Sequence, residues 1–286
     1  MKLVATLVVA LAAFAALALG PPALAQERVS FPSRDGAGNA PLVLTGVFFA
    51  APVPAANPAP AIAMFHGCDG AWDKRGALSA RMREYTTLFN GLGLHVLVVD
   101  SLTPRYEKEL CTQRVGKRRV TQANRRLDAL GAVEYLADRH DVDPKRIGLV
   151  GWSNGGSTVL AATNLRHHDV ATAATRPAFA IAFYPGCEAD LKRGYVPSTP
   201  LLLLVGALDD WTPAAPCASL VRASDEPRPE LVTYAGAWHG FDSEAPVRLR
   251  KDVTNGANPG QGVHVGGDAN ARRASRDQVV KFLAEH

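Results

Sequence analysis

The amino-acid sequence has little excess charge and few aromatic residues. Its 31 Lys and Arg residues against 27 Asp and Glu residues leave a formal net charge of +4, and aromatic residues occupy 7% of the 286 positions. Nucleic-acid-binding domains usually concentrate far more positive charge on one face, so we expect no nucleic-acid partner. The remaining composition, 47% hydrophobic and 20% charged, is too apolar for a disordered chain and too charged for a multi-span membrane protein.

Long hydrophobic runs are missing except at the N-terminus. Residues 1–25 contain Lys2, an apolar run from Leu3 to Leu19, a Gly-Pro-Pro break and a small-residue site ending at Ala25. This order is typical of a secretory signal peptide. The alternative is a transmembrane anchor, but the run is marginal in length for a bilayer and the break favours cleavage. We therefore expect an exported protein with one domain over residues 26–286 and no membrane span after cleavage.

Cysteine is scarce in the sequence. The four cysteines are Cys68, Cys111, Cys187 and Cys217. Zinc sites usually need close pairs such as Cys-x-x-Cys, which are not present here, so we expect no metal. An even number of cysteines in an oxidising compartment favours disulfides, and four cysteines allow three pairings. We favour the most local one, which joins Cys68 to Cys111 and Cys187 to Cys217.

Short apolar runs alternate with longer amphipathic segments along the chain. Each run is apolar on consecutive residues, as expected of strands that are buried on both faces. The predicted strands cover 61–65, 95–99, 146–150, 179–183, 201–205 and 230–234. The predicted helices lie near 78–90, 119–139, 155–168, 213–222 and 270–285. This alternation predicts an α/β fold with a mostly parallel central sheet and helices on both faces.

The strongest chemical signal is the motif GWSNGG at 151–156, directly after a predicted strand. It matches the G-x-S-x-G nucleophile elbow, in which a Ser lies on a tight turn from a strand to a helix. Residues beside such a turn must be small, and Gly151 and Gly155 meet that requirement. The turn places the Ser153 hydroxyl at the amino end of a helix, where backbone N–H groups stabilise negative charge. We therefore predict Ser153 as a nucleophile.

An acid and a base follow Ser153 in the order that such a site requires. Asp209 lies in the segment 206–213 after the predicted strand 201–205, and His239 lies in the loop after the predicted strand 230–234. The imidazole would take the Ser proton and return it to the leaving group, while the carboxylate would orient the ring. Asp210 is the alternative acid. Asp242 is a more remote one, because it shares a loop with the histidine that it would support.

A second loop, HGCDG at 66–70, follows the predicted strand 61–65. In the α/β-hydrolase fold, an amide of this loop and the amide after the nucleophile form the oxyanion hole. The donors would be the backbone N–H groups of Cys68 and Asn154. A competing interpretation makes Cys68 a thiol nucleophile with His66 as its base. An exported thiol with a partner cysteine is more often oxidised, which disfavours that interpretation.

Six motifs in this order resemble the dienelactone hydrolase family of α/β-hydrolases, over roughly residues 60–285. They are HGCDG at 66–70, VVDSLTPR at 98–105, GWSNGG at 151–156, YPGC at 184–187, GALDDWTP at 206–213 and WHGFD at 238–242. The resemblance implies Asp209 as the acid and His239 as the base. Ser153 departs from the pattern, because the best-known members use a Cys nucleophile. The chain therefore fits a general serine esterase better than an enzyme restricted to dienelactones.

The leading functional prediction is a secreted or periplasmic serine hydrolase that cleaves a small carboxylic ester or lactone through an acyl-enzyme, without a metal or an organic cofactor. One alternative is acyl transfer or peptide cleavage from the same acyl-enzyme, although peptidases of this fold often carry a large extra domain. Another is a non-catalytic binding protein, although such proteins typically lose a triad residue.

Candidate pocket residues are Trp72, Arg105, Trp152 and Trp211, with core packing as the alternative for the tryptophans. The segment 242–268 is rich in Gly and Asn, which is typical of a mobile flap.

Overall fold

An eight-stranded sheet forms the centre of the fold in the computed structural model, which describes residues 26–37 and 40–286. The predicted signal peptide, residues 1–25, lies outside the described residues. The strands are β1 Gln26–Ala37, β2 Ala40–Phe49, β3 Ala59–Phe65, β4 His95–Asp100, β5 Val142–Trp152, β6 Phe179–Phe183, β7 Leu201–Gly206 and β8 Glu230–Tyr234. Their order across the sheet is β1-β2-β4-β3-β5-β6-β7-β8.

The strands from β3 to β8 are parallel, and the predicted strands coincide with them. Every residue of β4, β6 and β7 is buried, because helices cover both faces of the sheet. This confirms the mostly parallel sheet that the apolar runs predicted. The antiparallel part consists of β1 and β2, with β2 also pairing antiparallel with β4. No strand was predicted at β2, which is exposed at four of its first six residues and buried without interruption only from Gly46 to Phe49.

Helices pack against both faces of the sheet. In the described ranges the α-helices are α1 Ala80–Gly91, α2 Gln122–Ala137, α3 Asn154–Ala162, α4 His168–Ala171, α5 Glu188–Arg193, α6 Ala214–Ala223 and α7 Ala269–Glu285. One apolar core lies under α2, α3 and α6, and the other lies under α1 and α7. None of the helices in these ranges combines the length and the apolar character that a bilayer span would need.

The helices differ in how their amino ends are capped. The side chains of Ser79, Thr121 and Asp268 accept backbone N–H groups at the starts of α1, α2 and α7. In contrast, Ser153 precedes α3 and makes no such hydrogen bond. The hydroxyl of Ser153 is therefore not used to cap its own helix, and the first amide of α3 remains available to a ligand.

The segment 242–268 contains regular structure. Its strands β9 Arg248–Arg250 and β10 Val263–Val265 form a two-stranded antiparallel sheet. Val253 and Val263 are buried, and His239 forms a parallel bridge with Val265. The Gly- and Asn-rich composition of this segment therefore belongs to a folded connection that packs beside the loop of His239.

The contact between α2 and β1 generates a prediction about stability. A methyl group added at Gly131 would lie 2.4 Å from the Pro32 carbonyl oxygen and 3.1 Å from Ser33 Cα. Both are backbone atoms, so the helix or the strand would have to move. We expect Gly131→Ala to lower the free energy of unfolding by about 1–3 kcal/mol, measured by urea denaturation.

Gly91, the last residue of α1, is the matched control. An added methyl group there would meet no atom within 4 Å. Alanine is also the better helix former, so Gly91→Ala should leave the stability unchanged or raise it by up to about 1 kcal/mol. Equal losses in the two variants would contradict the close approach of α2 to β1.

Candidate active site

Ser153 lies in the turn between β5 and α3 with an unusual backbone conformation. Its φ is 54° and its ψ is −116°, a region that typically costs an L-residue about 1–3 kcal/mol. The Ser153 N–H donates to the Phe183 carbonyl at 2.9 Å, and the Ser157 N–H donates to the Ser153 carbonyl at 2.9 Å. The neighbouring strand and the first turn of α3 therefore hold this strained residue from both sides.

The glycines of the motif make the turn possible. A methyl group at Gly151 would lie 2.1 Å from the Gly155 carbonyl oxygen, and one at Gly155 would lie 2.0 Å from the Phe65 carbonyl oxygen. Backbone atoms occupy both spaces, so neither position has room for a side chain. The structure thus gives a steric reason for the small residues on which the sequence motif was recognised.

The three residues that the sequence singled out as a triad meet at the carboxyl edge of the sheet. His239 Nε2 lies 2.9 Å from Ser153 Oγ, and His239 Nδ1 lies 2.8 Å from Asp209 Oδ2. Asp209 and His239 are buried, whereas Ser153 is partly exposed. A substrate can therefore reach the hydroxyl, while the two residues behind it are shielded from solvent.

The Asp209 carboxylate has a fixed orientation. Its Oδ1 accepts the N–H groups of Trp211 and Thr212 at 2.8 Å each, and its Oδ2 accepts the Thr212 hydroxyl at 3.0 Å as well as His239. The Thr212 Oγ1 also lies 3.0 Å from His239 Nδ1. Thr212 was not among the predicted site residues. The one sequence signal for it is its position three residues after Asp209, from which its hydroxyl can reach back to the carboxylate.

Asp210, the alternative acid, points to a different histidine. Its Oδ2 lies 2.7 Å from His264 Nδ1, and its Oδ1 accepts the His264 N–H at 2.8 Å. The ring of His264 lies on Trp238, with 4.4 Å between the ring centroids. Asp210 thus attaches β10 to the loop after β7, and Asp209 is the carboxylate that contacts His239.

Asp242, the more remote alternative, anchors the wall behind His239. Its carboxylate accepts the Tyr184 hydroxyl at 2.7 Å and two N–H groups of Arg81 at 3.1 and 3.2 Å. The Tyr184 ring packs against His239 at a centroid distance of 4.6 Å. Burial raises the pKa of Tyr184 well above its ordinary value, so the phenol stays neutral and donates to Asp242. The YPGC motif contains this tyrosine, but its role could not be predicted without the fold.

The two amides predicted for the oxyanion hole lie on either side of Ser153. Asn154 is the first residue of α3, and Cys68 follows β3 in the HGCDG loop. A methyl group on Gly67 would lie 3.7 Å from Ser153 Cβ, so this loop runs directly beside the serine. Within the described part of the chain, neither amide donates a hydrogen bond. Both are therefore available to a substrate oxygen.

His66 supports one of these amides as a neutral side chain. Its Nε2 accepts the Ser101 N–H at 3.3 Å, so the proton lies on Nδ1, which donates to the Gly67 carbonyl at 2.7 Å. The Gly67 carbonyl and the Cys68 N–H belong to the same peptide unit. Because hydrogen bonds in series polarise one another, the bond from His66 makes the Cys68 N–H a stronger donor. Burial, helped by the positive charge of Arg125, lowers the pKa of His66 to about 4.

Both disulfides have the most local pairing. Cys68 is bonded to Cys111, and Cys187 is bonded to Cys217. All four cysteines lie in the described residues and all are paired. The interpretation of Cys68 as a thiol nucleophile with His66 as its base is therefore wrong, because the Cys68 sulfur is oxidised. The bond instead attaches the HGCDG loop to the loop that contains Cys111.

Trp211, one of the four predicted pocket residues, lies beside the triad. Its ring lies 4.6 Å from that of His239, and it packs against the apolar cluster around Cys68 and Cys111. The Arg250 guanidinium lies over the Trp211 ring, 5.6 Å from its centroid. Trp211 therefore contacts the base, the cluster around the disulfide and a cation.

The other three predicted pocket residues have structural roles. Trp152 is fully buried, so the core-packing alternative describes it correctly. The Trp72 indole donates to Asp100 at 2.6 Å, and Arg105 forms an ion pair with Asp128 at 2.7 Å. Across residues 26–37 and 40–286, no three His, Cys, Asp or Glu side chains are grouped as a metal site requires.

Comparison with known proteins identifies the family. The sequence matches the model of the dienelactone hydrolase family over residues 46–286, which is most of the chain. The chain belongs to the dienelactone hydrolase family. This membership confirms two predictions, the α/β-hydrolase fold and the enzyme class, a carboxylic ester hydrolase.

Solved structures of similar proteins share the fold of this family member. One is described as a dienelactone hydrolase, from Klebsiella pneumoniae subsp. pneumoniae MGH 78578. It matches with a TM-score of 0.65 and 15% sequence identity, and the match covers 92% of this chain and 100% of that protein. The dienelactone hydrolase-like promiscuous phosphotriesterase P91, from metagenomic libraries, matches with a TM-score of 0.62 and 19% identity, over 91% of this chain and 98% of that protein. Thermogutta terrifontis esterase 2 matches with a TM-score of 0.58 and 20% identity, over 91% of this chain and 94% of that protein. At these identities the similarity concerns the fold.

A curated relative matches over a shorter stretch. YtaP of Bacillus subtilis (strain 168), described as a hydrolase, is 28% identical over 120 residues, or 38% of this chain. The match spans 40% of the length of YtaP. Its description as a hydrolase agrees with the general class of reaction of the family.

The buried His66 predicts how stability depends on pH. Its pKa is about 4 in the folded protein and 6.5 in the unfolded chain, so between these values only the unfolded chain binds the proton. The free energy of unfolding therefore falls as the pH drops through this window, by roughly 3 kcal/mol from this group. His66→Asn, which has no titrating ring, should lose this contribution. Urea denaturation near pH 7 and near pH 4.5 should show a smaller acid loss in the variant than in the wild type, and equal losses would contradict the assignment.

Proposed function

We propose that this protein is an exported serine hydrolase that cleaves a carboxylic ester or a lactone. Ser153 is the nucleophile, His239 the general base and acid, and Asp209 the residue that orients and stabilises the imidazole. The observation that carries the proposal is the continuous hydrogen-bonded line from Ser153 Oγ through both nitrogens of His239 to Asp209, at 2.9 and 2.8 Å. Membership of the dienelactone hydrolase family supports ester hydrolysis on independent grounds.

The first half of the reaction forms an acyl-enzyme. Ser153 Oγ attacks the substrate carbonyl carbon while its proton passes to His239 Nε2. Because Nδ1 faces Asp209, the ring presents Nε2 as an acceptor to Ser153, and the imidazolium that forms is stabilised by the carboxylate. The carbonyl oxygen becomes negative and accepts hydrogen bonds from the N–H groups of Cys68 and Asn154. His239 then gives the proton to the leaving oxygen as the ester C–O bond breaks.

The second half releases the acid. A water molecule gives a proton to His239 as its oxygen attacks the acyl carbon, the same amides stabilise the oxyanion, and Ser153 Oγ leaves with the proton from His239. In a lactone the leaving alcohol is part of the acyl chain, so one hydroxy acid is released. No step requires a metal or an organic cofactor.

Two alternative functions are less well supported. Acyl transfer or peptide cleavage would proceed through the same acyl-enzyme and would be revealed by product analysis with amine or alcohol acceptors. A non-catalytic binding protein has no need of a hydrogen-bonded serine, histidine and aspartate at the carboxyl edge of the sheet. The presence of all three in contact supports the enzyme.

The surroundings of Ser153 favour esters with short acyl chains. The Trp211 ring lies 4.6 Å from that of His239 and packs against the cluster around Cys68 and Cys111, so a bulky aromatic side chain borders the triad. Thermogutta terrifontis esterase 2, which shares the fold, was solved with propionate and with butyrate bound. We propose acyl groups of similar size for this protein.

Export is part of the proposal. The predicted signal peptide at 1–25 directs the chain out of the cytoplasm, and two disulfides suit the oxidising periplasm or exterior. One of them, Cys68–Cys111, braces the loop that supplies an oxyanion donor. Oxidation and activity are therefore linked in this interpretation.

The identity of the nucleophile is tested by covalent labelling. A fluorophosphonate probe should label the mature protein at Ser153, and Ser153→Ala should abolish labelling and lower kcat on short nitrophenyl esters by at least about a thousandfold. Ser219→Ala is the control, because that hydroxyl lies on α6 and accepts a hydrogen bond from Arg222. It should keep labelling and turnover. Ester hydrolysis that persists in Ser153→Ala would overturn the mechanism.

Two adjacent aspartates provide a matched test of the acid. Asp209→Asn should lower kcat by about a thousandfold to ten-thousandfold, because an amide favours the wrong imidazole tautomer. Asp210→Asn should change kcat by less than about tenfold, because its partner is His264 and it acts outside the proton path. Steady-state kinetics of the two variants, with circular dichroism to verify folding, decides between them. The reverse ranking would move the acid to Asp210.

A further inference from the structure

One arginine lies fully buried behind the proposed oxyanion hole. Arg125, near the start of α2, has no exposed surface. Among the described residues, no carboxylate oxygen lies within 4.0 Å of its nitrogens. Burial lowers the pKa of Arg125 to about 10, so the guanidinium stays charged at neutral pH. A buried cation without a contacting anion is normally destabilising, which suggests that this one has a functional role.

Two of the three acids whose charges act on Arg125, Asp128 and Asp100, are hydrogen-bonded to other residues, and the third is Asp69. Asp128 accepts two N–H groups of Arg105, at 2.7 and 2.9 Å. Asp100 accepts the Trp72 indole at 2.6 Å. These carboxylates lower the energy of the buried charge at a distance but do not form an ion pair with it.

The guanidinium instead bridges two segments of the site. Its Nη1 donates to the Asn154 side-chain oxygen at 2.5 Å, and its Nη2 donates to the His66 carbonyl at 2.8 Å. Asn154 carries one of the two oxyanion amides. His66 precedes, by two residues, Cys68, which carries the other. The planar fork of one side chain therefore connects the start of α3 to the HGCDG loop.

We infer that Arg125 is a positioning residue of the oxyanion hole, which holds Asn154 and the HGCDG loop at the spacing that lets both amides bind one oxygen. The inference rests on the proposed function, because it assigns a role within that reaction. Arg125 contacts both segments directly, so the dimensions of its guanidinium help to set the separation of the two amides. Both partners of the guanidinium are protein atoms, so these contacts are in place before a substrate binds.

The positive charge of Arg125 stabilises the oxyanion in addition to the positioning by its hydrogen bonds. The substrate oxygen carries little charge before attack and a full negative charge in the tetrahedral intermediate. A fixed cation behind the donors therefore stabilises the intermediate more than the bound ester, which is the requirement for a faster chemical step. The surroundings are buried, so solvent does not screen this interaction as it would at the surface.

Two substitutions at Arg125 separate the effect of its two hydrogen bonds from the effect of its positive charge. Arg125→Lys keeps a cation but cannot make two divergent hydrogen bonds in the plane of a guanidinium. Arg125→Met removes both. We expect kcat on a short nitrophenyl ester to fall about tenfold in Arg125→Lys and on the order of a hundredfold in Arg125→Met, with KM within about twofold of the wild type.

Arg126→Met is the matched control. Arg126 is the next residue of α2, but it pairs with Asp169 at 2.8 Å, away from the triad. We expect wild-type kcat and KM for this variant. If Arg125→Met fails to fold, Arg125→Lys alone decides the question, with its melting temperature measured alongside.

A transition-state mimic separates positioning from general destabilisation. A trifluoromethyl ketone adds to Ser153 and forms a hemiketal with a negative oxygen in the oxyanion hole. Its inhibition constant should rise in each Arg125 variant by the factor by which kcat/KM falls. A variant that merely unfolds in part loses active sites without changing the inhibition constant of the remainder, and that result would overturn the inference.

The outcomes also separate this inference from the proposed function. Wild-type protein that neither hydrolyses esters nor reacts at Ser153 would refute the proposed function. Active wild-type protein with unchanged kcat and inhibition constant in folded Arg125→Lys and Arg125→Met would overturn the role of Arg125 alone. A rise in KM at constant kcat would do the same, because it would assign Arg125 to substrate binding.

Discussion

The strained turn at Ser153 is the constraint on which the rest of the site depends. A residue with φ of 54° is held there by a hydrogen bond to β6 and by the first turn of α3. Carbonyl groups fill the space beside Gly151 and Gly155, so β5, α3 and β3 must approach to within backbone contact. The apolar packing on both faces of the sheet supplies the stability that offsets this strain. The position of the hydroxyl thus follows from the packing of three elements.

Polar groups at the carboxyl edge of the sheet are oriented by their neighbours before any substrate binds. Asp209 accepts two backbone amides, Tyr184 and Arg81 hold Asp242, and His66 is kept in one tautomer by a backbone N–H. Buried polar groups that are satisfied in this way have little freedom to reorganise. The disulfide at Cys68 adds a covalent restraint to the HGCDG loop. Such preorganisation is what electrostatic stabilisation of an oxyanion requires.

Sequence reasoning was most successful where function coincides with the end of a predicted strand. Ser153 directly follows β5, Asp209 lies three residues after β7, and parallel strands bring their carboxyl ends to one edge, so the two were expected to be neighbours. The pocket could be predicted only in part: of the four candidates Trp211 borders the triad, Trp152 packs in the core as the alternative had it, and Arg105 pairs with Asp128. Which face a large side chain occupies depends on its register and on the surrounding loops, and neither can be read from residue type.

The sequence by itself determined the parallel sheet and the elbow, because consecutive apolar residues bounded by glycine and proline describe a strand buried on both faces without reference to distant segments. Only the tertiary structure decided which charged residues belong to the site. Arg125 and Arg126 are adjacent and chemically identical, yet one is fully buried behind Asn154 and the other pairs with Asp169. The same holds for Asp209 and Asp210, whose partners are His239 and His264. A charged side chain takes its role from the partner that packing brings to it, and those partners are 29 to 54 residues away along the chain.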